Sequence, residues 1–168
     1  MALDPACVGT TYPPSQPYPV EPQTIRRFTE AVGETAPAFT DPAAARALGH
    51  PAVVAPPTFP FVVVARAMRE VVSYDDLGFD PTYLVHGNQR FEYTRPVRVG
   101  DRLVTTLEIT GAQSLRGRDV LSLRADLADA GGSHVVTTHM TFVSMNGVGD
   151  AAQDADAVKG GAGDDAAR

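Results

Sequence analysis

Leu121-Ser122-Leu123-Arg124-Ala125-Asp126-Leu127 alternates apolar and polar residues without a break. A period of two sends successive side chains to opposite faces, so this is a strand with one face on a core. The same alternation runs upstream through Leu103-Val104-Thr105-Thr106-Leu107-Glu108-Ile109 and through Gln89-Arg90-Phe91-Glu92-Tyr93. Downstream, Val136, Thr138, Met140 and Phe142 alternate with Val135, Thr137, His139 and Thr141. Gly100-Asp101, Gly117-Arg118 and Gly131-Gly132 supply short turns between these runs. Four strands in succession predict an antiparallel meander.

The first half of the chain has a different period. Residues 1–23 are rich in Pro and Tyr, which predicts an extended lead-in with at most a short strand near Tyr18. Thr24 caps an expected helix that carries Ile25, Phe28 and Val32 on one face and stops at Gly33. Asp41 caps a second, short helix with Pro42 at its first position and Gly49 as its stop. From Phe59 to Val72, ten of fourteen residues are apolar, and they surround the helix axis. That predicts a helix buried on most sides, with Thr58 as its cap. Helices first and strands after give an α+β fold, with an antiparallel sheet wrapped around a central buried helix.

Composition sets the outer limits. The chain has 168 residues, 43% apolar and 20% charged, with a net charge of −6. A single domain over residues 1–146 buries enough surface to need no staple. Gly147 to Arg168 holds seven Ala, five Gly and five Asp, with one Lys and one Arg. So polar a segment cannot offset the entropy of ordering, and a disordered tail over 147–168 is expected. The remaining body is slightly acidic, which argues against nucleic acid as a partner. No apolar run approaches the roughly 20 residues that span a bilayer, so no membrane association is expected. The first residues lack the basic and apolar regions of a secretory leader, and Cys7 is the single cysteine. A cytoplasmic protein without metal or cofactor is the expectation.

Arg90-Phe91-Glu92-Tyr93-Thr94-Arg95-Pro96-Val97-Arg98-Val99-Gly100-Asp101 resembles the strand-turn-strand signature of MaoC-like hot-dog hydratases and dehydratases. Gly33 to Asp41, with Pro42, Ala43 and Ala45 following, resembles that family's active loop and the helix after it. Ala55-Pro56-Pro57-Thr58-Phe59 resembles the start of its central helix. The likeness runs over about residues 8 to 145 and is strongest to the actinobacterial MaoC N-terminal-like branch. That branch includes the substrate-binding subunit of a heterodimeric (3R)-hydroxyacyl-ACP dehydratase. The resemblance implies a hot-dog fold, acyl-CoA or acyl-ACP thioesters as ligands, and substrate contacts at Pro56, Pro57, Thr58, Phe59 and Val62. For the helix residues, plain core packing is the alternative.

The same resemblance exposes a gap. The family loop reads Gly-Asp-x-Asn-Pro-x-His-x-Asp, and its Asp and His move the protons of hydration and dehydration. Here Gly33, Pro37 and Asp41 match. Glu34 stands at the Asp position, Ala36 at the Asn position and Phe39 at the His position. Phenylalanine has no proton to transfer. The family's carbonyl-polarising backbone N–H falls at Pro57, which has none. The resemblance therefore implies no catalytic residue of this chain's own, and Asp41 reads as a helix cap.

Other candidates carry two readings each. His86 either reaches a substrate channel or dimer seam, or is structural. His50, between Gly49 and Pro51, is ordinary loop chemistry or, like His86, a neighbour of Glu34 acting as base. His139 shares a strand face with Thr137 and Thr141, at the solvent side or an interface, and His134 sits in a turn. Seven arginines and four acids between Arg90 and Arg124 either dock an acidic carrier protein or coenzyme A phosphates, or form a solvated face.

Three functions follow. The first is an acyl-thioester-binding subunit that works beside a catalytic MaoC-like partner. The second is a self-sufficient homodimeric hydratase or thioesterase using Glu34. The third is an acyl-CoA sensor. An open sheet edge predicts pairing, as a homodimer in isolation and a heterodimer in the cell.

Overall fold

A computed structural model of the chain describes residues 3–74, 77–79, 84–115 and 118–144. The expected tail over 147–168 and Gly117 of the expected turn lie outside the described residues. Five strands form one antiparallel sheet: β1 Tyr18–Pro19, β2 Leu84–Tyr93, β3 Arg102–Leu115, β4 Arg118–Ala128 and β5 His134–Ser144. Among the described residues, three α-helices precede β2: α1 Pro22–Ala31, α2 Pro42–Ala47 and α3 Pro60–Val71. The sheet curls around α3, which is the hot-dog architecture. Each long alternating run became a strand; in β3, β4 and β5 the apolar positions (Leu107, Leu123, Leu127 and Met140 among them) are buried, whereas in β2 Phe91 is half-buried and Tyr93 exposed.

The meander needs correction. The sheet order is β1-β3-β4-β5-β2, so β2 lies beside β5 and away from β3, its successor in the chain. The lead-in explains this. It runs along β3, where Gly9, Tyr12 and Ser15 donate backbone N–H groups to the carbonyls of Ile109, Leu107 and Thr105. Tyr18 of β1 then pairs with Leu103. With that edge of β3 taken, β2 completes its ladder on the far side, from Leu84↔Ser144 to Tyr93↔Val136. Residues 94–101 are consequently a crossover rather than a hairpin.

The crossover is held at both ends. Arg95 donates to both carboxylate oxygens of Asp101, at 2.8 and 3.1 Å, and to Asp129 at 3.3 Å. Its middle pairs with the approach to α3: Ala55 N–H donates to Val97 O, and Val99 N–H donates to Val53 O.

Two helix starts differ from expectation. α1 begins two residues before Thr24, with Pro22 in its first turn and no side-chain cap, because proline's fixed φ suits a first helical position. α3 begins at Pro60 with Phe59 at the cap position, and Thr58 makes no side-chain cap bond. Asp41 does cap α2, accepting from Ala43 N–H at 2.7 Å. Nor is α3 buried all round. Pro60, Val63, Val64, Ala67 and Met68 form its buried stripe. Phe61, Val62 and Ala65 are half-buried, while Arg66, Arg69 and Glu70 are exposed. The sheet covers one side of the helix and leaves the charged residues exposed, with the Arg66 guanidinium over the ring of Tyr18.

Candidate functional site

The loop between α1 and α2 is shaped by its own backbone. Gly33 takes a φ of +68°, a left-handed turn that favours glycine, and Glu34 N–H reaches back to Thr29 O. Glu34 Oε1 then accepts from the N–H groups of Thr35 and Ala36, at 2.8 and 3.0 Å. Its carboxylate thus caps the loop from an exposed position. Pro37–Phe39 form a single 3-10 turn that buries Ala38 and leaves Phe39 half-buried. Val54 N–H donates to Ala38 O, tying this turn to the strand-like segment before α3.

Phe39 is the shared wall of two cavities. One, of about 270 Å³, is almost wholly apolar, and its other lining residues are His50, Val54, Ala55, Pro57, Tyr93 and Pro96. Four separate segments meet there because the crossover clamps residues 53–55. Gly49 turns the chain at the end of α2, with a φ of +84°, and His50 N–H bonds back to Ala45 O. That turn places His50 beside the cavity. Tyr93, at the end of β2, donates its hydroxyl to Pro57 O at 2.6 Å. The residue is partly exposed, yet the burial it does have pushes its pKa well above the usual phenol range. The second cavity, of about 320 Å³, is lined among others by Arg26 of α1, Thr40 and Arg46 of α2.

The remaining candidates are spread more widely. Of Pro56, Pro57, Thr58, Phe59 and Val62, only Pro57 lines either cavity. Pro56 is buried and Thr58 exposed. Phe59 is fully enclosed, edge-to-face with Phe28 at 5.4 Å between centroids. Ala36 is half-buried in the loop. His86 lines neither cavity; its ring lies between Phe61 and Phe142, at 4.7 and 4.9 Å. His134 opens β5 and bonds Thr94 and Thr137. His139 lies 3.7 Å from Glu92 on the half-exposed sheet face. Most of the arginine cluster is internally paired: Arg90 with Glu92, Arg95 and Arg98 with Asp101, and Arg124 with Asp126. Tyr93 lines the first cavity, and Arg26 and Arg46 the second, without any motif in the sequence to mark them as site residues. Among the described residues, no helix is long and apolar enough to cross a membrane.

A family model described as the FAS1-like dehydratase domain region matches residues 6–138. The chain belongs to this FAS1-like dehydratase-region family. Relatives within reach of the family include a UPF0336 protein of Streptomyces coelicolor, 49% identical over 144 residues, 86% of this chain and 96% of that protein. Among solved structures, the chain is similar to the C-terminally truncated HadBC (3R-hydroxyacyl-ACP dehydratase) complex of Mycobacterium tuberculosis. There the TM-score is 0.73 at 26% identity, covering 86% of this chain and all of that one. It is also similar to a MaoC-like dehydratase, with a TM-score of 0.70 at 34% identity, covering 84% of this chain and 43% of the other. In this FAS1-like dehydratase-region protein the loop between α1 and α2 presents the ring of Phe39 to both cavities.

Proposed function

We propose that this chain is the acyl-thioester-binding subunit of a (3R)-3-hydroxyacyl dehydratase, and that a catalytic MaoC-like subunit supplies the Asp and His. The observation that carries this reading is Phe39, which forms an apolar cavity wall at the loop position from which the family moves protons. Dehydration removes an α-proton and protonates a departing hydroxyl, so it needs an acid/base group at each centre. Glu34 is occupied with two loop N–H groups and does not line the cavity. Pro57 offers no N–H to a thioester carbonyl. What the site offers is a slot with apolar walls, suited to an acyl chain.

Two further points support a partner. HadBC, one of the similar structures, is a complex that its description names a (3R)-hydroxyacyl-ACP dehydratase. In this chain β2 is a sheet edge, with Val85 52% exposed on it; a second hot-dog sheet would cover such an edge. The cytoplasm is the proposed setting, and residues 1–146 the proposed functional unit. Purified chain should not hydrate crotonyl-CoA or a longer enoyl thioester, while the complex recovered by co-purification should. Rapid hydration by the chain alone would overturn the reading.

One observation favours the self-sufficient alternative: His50 brings an imidazole to the cavity that Phe39 lines. If the isolated chain is active, His50→Ala should abolish that activity.

A further inference from the structure

The second cavity beside Phe39 has a different chemistry from the first. Arg26 approaches it from α1 and Arg46 from α2, with Thr40 between them on the loop. Neither arginine makes an ion pair among the described residues, although acids are close in sequence. Asp41 Oδ1 is held by Ala43 N–H, and Glu34 Oε1 by two loop N–H groups. Glu30, one turn along α1 from Arg26, makes no ion pair with it among the described residues. Two permanently charged side chains therefore line one cavity, and no ion pair engages either of them among the described residues. Guanidinium groups so placed match the geometry of phosphate oxygens.

We infer that Arg26 and Arg46 form a phosphate-binding site that holds the phosphate end of a ligand whose apolar end enters the neighbouring slot across Phe39. The inference deepens the acyl-thioester reading and rests on it. It assigns to this chain the phosphate of a phosphopantetheine arm, a group common to coenzyme A and acyl carrier protein. The arginines of the 90–124 stretch are poorer candidates, because most of them already face a carboxylate.

Titration calorimetry on the full chain tests this with crotonyl-CoA, crotonyl-phosphopantetheine, crotonyl-pantetheine and inorganic pyrophosphate. Both phosphate-bearing thioesters should bind at least about tenfold more tightly than crotonyl-pantetheine, the scale of one or two charged hydrogen bonds. The double variant Arg26→Gln/Arg46→Gln should lose that gain and leave crotonyl-pantetheine binding unchanged. Both side chains are exposed, so the variant keeps its fold, checked by circular dichroism. A gain confined to crotonyl-CoA would place the nucleotide end in the site, and one shared by both thioesters the phosphate next to pantetheine. Phosphate-dependent binding that survives the double substitution would overturn the site and leave the acyl-thioester reading standing. Arginine-dependent pyrophosphate binding with no thioester binding would overturn that reading and keep the site. Absence of all binding would overturn both.

Discussion

At Glu34 a single carboxylate is spent on the backbone of its own loop. Its carboxylate holds Thr35 and Ala36 N–H groups from an exposed position, which is the work of a cap. Glu34→Ala should lower stability by about 1 kcal/mol, read from denaturant midpoints. In the reconstituted complex it should leave hydration nearly unchanged, far from the roughly 10²- to 10⁴-fold loss expected of a general base. Tyr93 is the counterpart on the other side of the cavity. Its hydroxyl bond to Pro57 O ties the end of β2 to the approach to α3. Burial raises its pKa above the ordinary value of 10.0, and raises those of Tyr18 and Tyr74 in the same direction. Below pH 10 both folded and unfolded chains keep these protons. Above it the unfolded chain releases them first, so stability falls as pH rises. Urea midpoints should decline from about pH 10 upward, and Tyr93→Phe should flatten that decline.

At the scale of elements, the start of α3 and the crossover carry the architecture. Phe59 is 0% exposed and anchors α3 against Phe28 and Tyr18. Phe59→Ala should cost about 3–5 kcal/mol, measured by equilibrium unfolding. The turn between β4 and β5 is organised by Asp129, whose Oδ1 accepts from Gly131 and Ser133 N–H groups, both at 3.0 Å. The Ser133 N–H, with help from the Arg95 guanidinium, holds the Asp129 carboxyl below its ordinary 3.8. Its contribution is present above that value and is lost as pH falls through the depressed one. Asp129→Asn should therefore make the acid limb of the stability profile shallower. The strands themselves were readable because alternation in sequence is alternation in space. The starts of α1 and α3 were not, because a proline at the first turn replaced the side-chain cap that serine, threonine or aspartate would announce. The burial of α3 was misread for a related reason. Apolar residues on several sides do not say which sides the sheet will cover.

For the whole molecule, the position of β2 was the least legible feature. Periodicity assigns a strand its faces but not its neighbours, and here a proline-rich lead-in decided them by taking one edge of β3. The same crossover brings Phe39, His50, Pro57 and Tyr93 to one slot from positions far apart in sequence. The loop motif could reveal only the first of them. The exposed edge at β2 predicts self-association in the absence of a partner. Sedimentation should give a dimer for the isolated chain, and Val85→Lys, a charge of the kind that guards natural edges, should shift it toward monomer. A wild-type monomer at all concentrations would count against edge pairing. The strand order also bears on birth. β5 leaves the ribosome last of the five, yet it sits between β4 and β2, so the finished strands wait on either side of a gap that only the emergence of β5 can fill. Until then the chain presents bare apolar strands to its surroundings, and a nascent protein halted before His134 would be a client for chaperones rather than a folded domain.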